Sequence, residues 1–152
     1  MTEDHLDRID RNILAALLRD ARLSMAELGR KVGLSKTPVM ARVRRLERDG
    51  FIRGYSAIVD RERMGQGHIA FVQVKLSDTR SAALDAFNKA ALSVPEIEQC
   101  HMIAGAFDYL LKVRTRDMRD YRRVLGEVVS GLPHVGQSST HVSMEAVKDR
   151  AF

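Results

Sequence analysis

The chain is 152 residues long, 45% hydrophobic and 30% charged, with 25 Lys and Arg against 20 Asp and Glu for a net charge of +5. Three prolines, a single cysteine (Cys100) and a longest apolar run from Ile13 to Leu18 exclude a disordered chain, a disulfide framework, a multi-cysteine zinc site and a membrane helix, which needs roughly 20 apolar residues. Met1 to Asp7 is acidic and polar and does not read as a secretory signal, so the expectation is a cytoplasmic, soluble protein of one or two small domains with a basic bias.

Asp7 is an N-cap candidate for a first helix, whose apolar positions Leu6, Ile9, Ile13, Leu14 and Leu17 recur at helical spacing as far as about Arg19. Ser24-Met25-Ala26-Glu27 is a capping box opening a second helix that buries Met25, Leu28 and Val32 and stops at Gly33. A third helix follows, with Ser35 or Thr37 as its cap. Thr37 precedes Pro38, which disfavours helical geometry at Thr37 and makes it the preferred cap. The helix runs to about Asp49, with Gly50 as its stop. Three short helices with a tight turn between the second and third make a helix-turn-helix.

The function of that arrangement rests on the third helix. Residues 30–53 carry Arg30, Lys31, Lys36, Arg42, Arg44, Arg45, Arg48 and Arg53 against Glu47 and Asp49 alone. Such a run is either a solvated face or a field that suits a polyanion. Val39, Val43 and Leu46 form the buried stripe. Thr37, Ala41, Arg44, Arg45 and Arg48 lie on the opposite side, with Lys36 and Arg42 at the margins. An arginine-rich helix face fits the major groove, where arginine donates two bonds to guanine. Beyond Gly50, β-forming residues bracket Gly54 and read as a small hairpin or wing, with Phe51 and Ile52 finishing the core and Arg53 within reach of a phosphate.

Gly33-Leu34-Ser35, Val39, Arg42-Val43, Arg45-Leu46-Glu47, Gly50, Ile52 and Gly54-Tyr55 resemble the N-terminal winged helix-turn-helix of the Lrp/AsnC (leucine-responsive, feast/famine) transcription regulators. Thr37-Pro38 fits the leucine-responsive branch. Ser35, Lys36, Thr37, Pro38, Ala41, Arg42, Arg44, Arg45, Arg48 and Arg53 are then the expected DNA-binding residues.

Residues 61–67 are polar and glycine-bearing, a linker between a domain at 1–60 and another at 68–152. From His68 the period changes to two: His68, Ala70, Val72, Val74 and Leu76 point one way, Ile69, Phe71, Gln73 and Lys75 the other. A helix over 80–92, strands over 96–103 and 109–115, a helix capped by Asp117 and a strand over 137–147 complete a β-α-β-β-α-β order. This is a ferredoxin-like unit, so the fold class is α+β. Met118, Tyr121, Leu125, Val128 and Val129 form the stripe of the last helix. Val142, Met144 and Ala146 share a side of the last strand. Apolar residues on both faces of the first strand, Phe71 included, argue that a second subunit covers the sheet.

Between the central strands, Gly105 permits a sharp turn or a close approach to a ligand, and Asp108 can accept bonds from an ammonium group. By itself this is either an ordinary hairpin with a turn aspartate or a site for both ends of an α-amino acid. Gly105-Ala106-Phe107-Asp108-Tyr109-Leu110-Leu111, Val113, Met144-Glu145 and Val147-Lys148 are similar to the effector and assembly (RAM) domain of the same family. The resemblance implies a loop at a dimer–dimer contact that helps bind amino-acid effectors. Ile103, Ala104, Gly105, Ala106, Phe107 and Asp108 are the candidates, with Thr140 and Val142 on the last strand. Lys75 to Arg80 and Cys100 to Ile103 are similar to a sub-branch that activates proline catabolism.

The five histidines show no metal-binding spacing, and no nucleotide-binding or nucleophile motif is present. Cys100 reads as a buried small hydrophobe. The expectation is a non-enzymatic transcription regulator without a cofactor that binds double-stranded DNA. It responds to an amino acid that is leucine-like or linked to proline metabolism, and works as a homo-oligomer of at least two subunits associated with the nucleoid, not with a membrane. The alternative is an architectural nucleoid protein without an effector.

Overall fold

A computed structural model describes residues 6–148. Residues 1–5 and 149–152, the outer ends of the two expected domains, lie outside the described residues. The chain divides into two compact units between Ile58 and Val59.

The first unit holds α1 (Arg8–Arg19), α2 (Met25–Val32) and α3 (Lys36–Arg48). Capping boxes at Asp7–Asp10 and Ser24–Glu27 start α1 and α2 by satisfying amides that have no partner within the helix. Ile13, Leu17, Leu28, Val39, Val43 and Leu46 close a shared core, to which Ile52 adds its side chain. Gly33 takes the left-handed conformation (φ 75°) that ends α2.

Three local expectations are corrected. The cap of α3 is Ser35, not Thr37, and Thr37 lies inside the helix. Pro38 is then the third helical residue, where its missing N–H would have had no intrahelical partner. For the same reason the Ser35 side chain has no amide at that position to accept from, and it makes no cap bond. The expected wing forms no strand over residues 51–60. Instead the Tyr55 hydroxyl donates to Glu47 Oε1 at 2.8 Å and ties the segment to α3. Ile52 reaches the core as expected, but Phe51 is exposed.

The second unit is a four-stranded antiparallel sheet in the order β2-β3-β1-β4. Its strands are β1 (His68–Leu76), β2 (Ile97–Met102), β3 (Tyr109–Thr115) and β4 (Val135–Val142). Helices α4 (Ser81–Leu92) and α5 (Met118–Val124) complete it, giving the β-α-β-β-α-β order. Period-two alternation places Ala70, Val72, Val74, Leu111 and Val113 in one core with Phe87, Tyr121, Val124 and Val129. A π turn, Leu125–Val129, extends α5. Val129 enters the core from this turn, with Leu125 and Val128 packed against it, as the helical stripe expects.

Met118 is exposed, not on the buried stripe, because it opens α5 at its wet end. β4 ends at Val142, so Met144 has no strand to hold it inward and is fully exposed. Cys100 is exposed rather than buried, since β2 is an edge strand with little packed over it. Among the described residues no helix is long and apolar enough to cross a membrane.

Candidate nucleic-acid interface and ligand loop

The turn between α2 and α3 is shaped by Gly29, a residue that helical periodicity alone does not single out. A Cβ on Gly29 would lie 2.6 Å from the Leu34 carbonyl oxygen. The Leu34 amide donates to the Gly29 carbonyl at 2.9 Å. The chain therefore folds back directly against α2, and α3 begins within a few residues. A small residue midway along the helix before a tight turn is the signal that would have found it.

On α3 the buried stripe is Val39, Val43 and Leu46. Ser35, Lys36, Thr37, Pro38, Ala41, Arg44 and Arg48 are exposed, as is Arg53 beyond the helix. Arg48 lies beside Asp49, with Nε 3.1 Å from Oδ1, and its side chain keeps 71% exposure. Among the described residues Arg44 has no ion-pair partner.

Arg42 and Arg45 are differently placed. Both guanidinium groups turn toward α1, where the Asp10 carboxylate receives Arg42 Nη1 at 2.9 Å on Oδ1 and Arg45 Nη2 on Oδ2. Arg42 also reaches Asp7. Their side chains retain 30% and 40% exposure, while Asp10 retains none. Asp7 sits at a pKa of about 2, lowered first by the Asp10 backbone N–H and then by Arg42. At Asp10 burial pushes the carboxyl up, but the hydrogen bonds from Arg45 and Arg42 outweigh it and the net direction is down. The structure thus separates Arg45, which periodicity placed beside Arg44 and Arg48, from the exposed face and sets it with the marginal Arg42 against α1.

In the second unit the Ile103–Asp108 loop joins β2 to β3 at the end of β1. The Asp108 amide donates to the Val74 carbonyl at 2.9 Å, and its carboxylate accepts from the Leu76 amide at 2.7 Å. That amide adjoins the irregularity at Lys75/Leu76 in the pairing of β1 with β4, so the carboxylate serves a backbone group there. The Ile103 amide donates to the Asp108 carbonyl and closes the loop. Ala104, Gly105 and Ala106 are exposed, and Phe107 is half-buried. Gly105 has no left-handed backbone, and a Cβ there would meet only Ile103 Cγ2 at 3.7 Å. Within one subunit the turn does not require its glycine.

Thr140 and Val142 do not join this loop within one chain. They pair with Val72 and Ala70. At about 3.3 Å per residue that places Val142 roughly 20 Å along β1 from Leu76. The Thr140 hydroxyl is engaged with the Tyr121 hydroxyl. Among the described residues no three His, Cys, Asp or Glu side chains converge as metal ligands.

The model for the winged helix-turn-helix DNA-binding family matches residues 6–53, and that for the Lrp/AsnC ligand-binding domain matches residues 69–151. The chain is 55% identical over 146 residues to the proline dehydrogenase transcriptional activator of Rhizobium radiobacter, covering 96% of this chain and 94% of the relative. It is 48% identical over 143 residues to the leucine-responsive regulatory protein of Escherichia coli K12, covering 94% and 87%. A transcriptional regulator of Neisseria meningitidis, solved as its L-methionine complex, superposes with a TM-score of 0.89 at 28% identity over 95% of this chain and 94% of that one. With a helix-turn-helix whose third helix shows an arginine-bearing face, followed by a ferredoxin-like ligand-binding unit, this chain belongs to the Lrp/AsnC family of DNA-binding transcriptional regulators.

Proposed function

We propose that the protein is an amino-acid-responsive regulator that lays α3 in the major groove and works as a homo-oligomer. The observation that carries the DNA side is the exposed face of α3, with Val39, Val43 and Leu46 locked inward. Arg44 and Arg48 stand where base edges and phosphates would be met. Ser35, Lys36, Thr37, Pro38 and Ala41 line the helix start, and Arg53 follows as a phosphate contact. Arg42 and Arg45 turn away from this face toward α1 and are not part of it.

On the ligand side, Ile103 to Asp108 supplies exposed backbone and a carboxylate. Separation of Thr140 and Val142 from the loop favours a site to which two subunits contribute, the loop from one and β4 from another. The effector is an α-amino acid. Relatives named for proline dehydrogenase activation and for leucine response, and a neighbour holding L-methionine, direct the choice of test compounds. The setting is the cytoplasm, on nucleoid DNA.

The test pairs two measurements on the full chain. Thermal shift against the twenty amino acids should single out one or a few, with leucine, methionine and proline tested first. The same compound should change mobility shift on DNA upstream of neighbouring genes. An equilibrium moves only if the ligand's affinity differs between states. DNA binding that no amino acid changes would leave the architectural reading in its place.

A further inference from the structure

The first unit buries a carboxylate that the DNA-binding surface does not use. Asp10 is wholly inside, on the side of α1 that faces α3. A lone carboxylate is costly to remove from water and must be paired. Here both of its oxygens are engaged. Oδ1 accepts from Arg42 Nη1 at 2.9 Å; Oδ2 accepts from Arg45 Nη2 and from the Asp7 amide at 3.1 Å. Asp7 in turn accepts from the Asp10 amide at 2.8 Å and from Arg42. The capping box that starts α1 is therefore also the socket for two arginines of α3. One set of bonds fixes the beginning of one helix and the rotation of another.

We infer that Asp10 is a positioning residue for DNA reading: it holds Arg42 and Arg45 against α1, sets the rotation of α3, and keeps those two charges off the duplex so that Arg44 and Arg48 make the contacts. The inference rests on α3 being the reading helix. Rotation matters because two arginines lie on each flank of one short helix. If α3 could roll, the Arg42–Arg45 flank would offer phosphates as many positive charges as the Arg44–Arg48 flank. Non-specific binding would gain while base readout lost register. Arginine makes the clamp directional, since its planar fork engages a carboxylate from a fixed angle.

The test reads salt dependence on the full chain, because each phosphate contact contributes about 0.9 to the slope of log K against log salt. Arg44→Ala and Arg48→Ala should each lower the slope by about 0.9, or relax base preference at one position of the operator. Arg42→Ala and Arg45→Ala should leave the slope at the wild-type value while lowering the melting temperature. Asp10→Asn releases the arginines. Its slope should steepen by about 0.9–1.8, as the freed guanidinium groups neutralise one or two further phosphates, and its preference for operator over random duplex should fall about tenfold or more. Asp10→Glu, which restores the charge, should recover part of that preference.

A folded Arg42→Ala or Arg45→Ala protein with a slope lowered as in Arg44→Ala would overturn the inference. So would a folded Asp10→Asn protein with unchanged slope and preference. If Asp10→Asn does not fold, the two arginine variants decide alone. Unchanged affinity and slope in both Arg44→Ala and Arg48→Ala would instead remove α3 as the reading helix.

Discussion

Two demands meet on the carboxylate of Asp108. One is the bond from the Leu76 amide, which has lost its regular ladder position where the pairing of β1 with β4 shifts. The other is the proposed ammonium group of an effector. Substitutions separate them. Asp108→Ala leaves a half-buried amide without its acceptor and should cost about 1–3 kcal/mol of stability. Asp108→Asn keeps an acceptor oxygen and removes the charge. It should melt within a few degrees of the wild type yet lose the thermal stabilisation given by the effector. Equal stabilisation of both proteins would confine Asp108 to its turn. Gly105→Ala is the companion variant. Its Cβ meets nothing closer than 3.7 Å within the subunit, so its melting temperature should hold. Any loss of effector response would then come from what approaches the loop from outside.

At the scale of elements, the helix-turn-helix depends on one close approach and one charged cap. Gly29→Ala would put a Cβ 2.6 Å from the Leu34 carbonyl. Backbone cannot yield as a side-chain tip can, so the expected loss is about 1–3 kcal/mol with weakened operator binding, read by melting and mobility shift. The cap gives a pH dependence. The Asp7 carboxyl is depressed from an ordinary 3.8 to about 2, and Asp10 is depressed as well. Their contribution is thus complete above about pH 4 and lost as pH falls toward 2. Asp7→Asn keeps a capping side chain without the charge, so acid unfolding followed by far-ultraviolet circular dichroism should begin at higher pH than in the wild type. The same elements show what local signals reveal. The Asp7 cap, the Ser24–Glu27 capping box and the left-handed Gly33 are legible because their causes lie within four residues, whereas the return bond from Asp10 that completes a box at Asp7 is not read from the sequence. The cap of α3 was misread by the pre-proline rule, which weighs Thr37 but not the absence of an amide demand at Pro38. The Arg42 and Arg45 partners lie more than thirty residues away on α1, and helical periodicity does not carry that information.

For the whole molecule the decisive surface is the sheet face away from α4 and α5. Phe71 stands there at 37% exposure, opposite Lys112 on β3 and His141 on β4. Arg114 and Lys112 share Glu98 along its margin, which flanks the apolar centre with paired charge. Alternation along β1 makes this face legible, since Ile69 and Phe71 share a side with Gln73 and Lys75. Its covering is not written in one chain's pattern. Four strands about 4.8 Å apart and some seven residues long give a flat area on the order of 400 Å² per copy. Two copies approach, but do not reach, the roughly 1,000 Å² of a specific interface. A stable dimer through this face would therefore have to recruit the linker or the Ile103–Asp108 loop. Phe71→Glu places a carboxylate at its centre and should shift the mass measured by light scattering to a smaller species. If this face joins the subunits, two α3 helices held at one spacing would bind an operator as a linked pair, and the variant would lose that linkage. Its affinity for a two-site operator should fall about 10²- to 10⁴-fold, while affinity for a single half-site stays close to that of the wild type. An unchanged mass would mean that other surfaces join the subunits. A lowered mass with undiminished operator affinity would mean that each copy reads DNA alone.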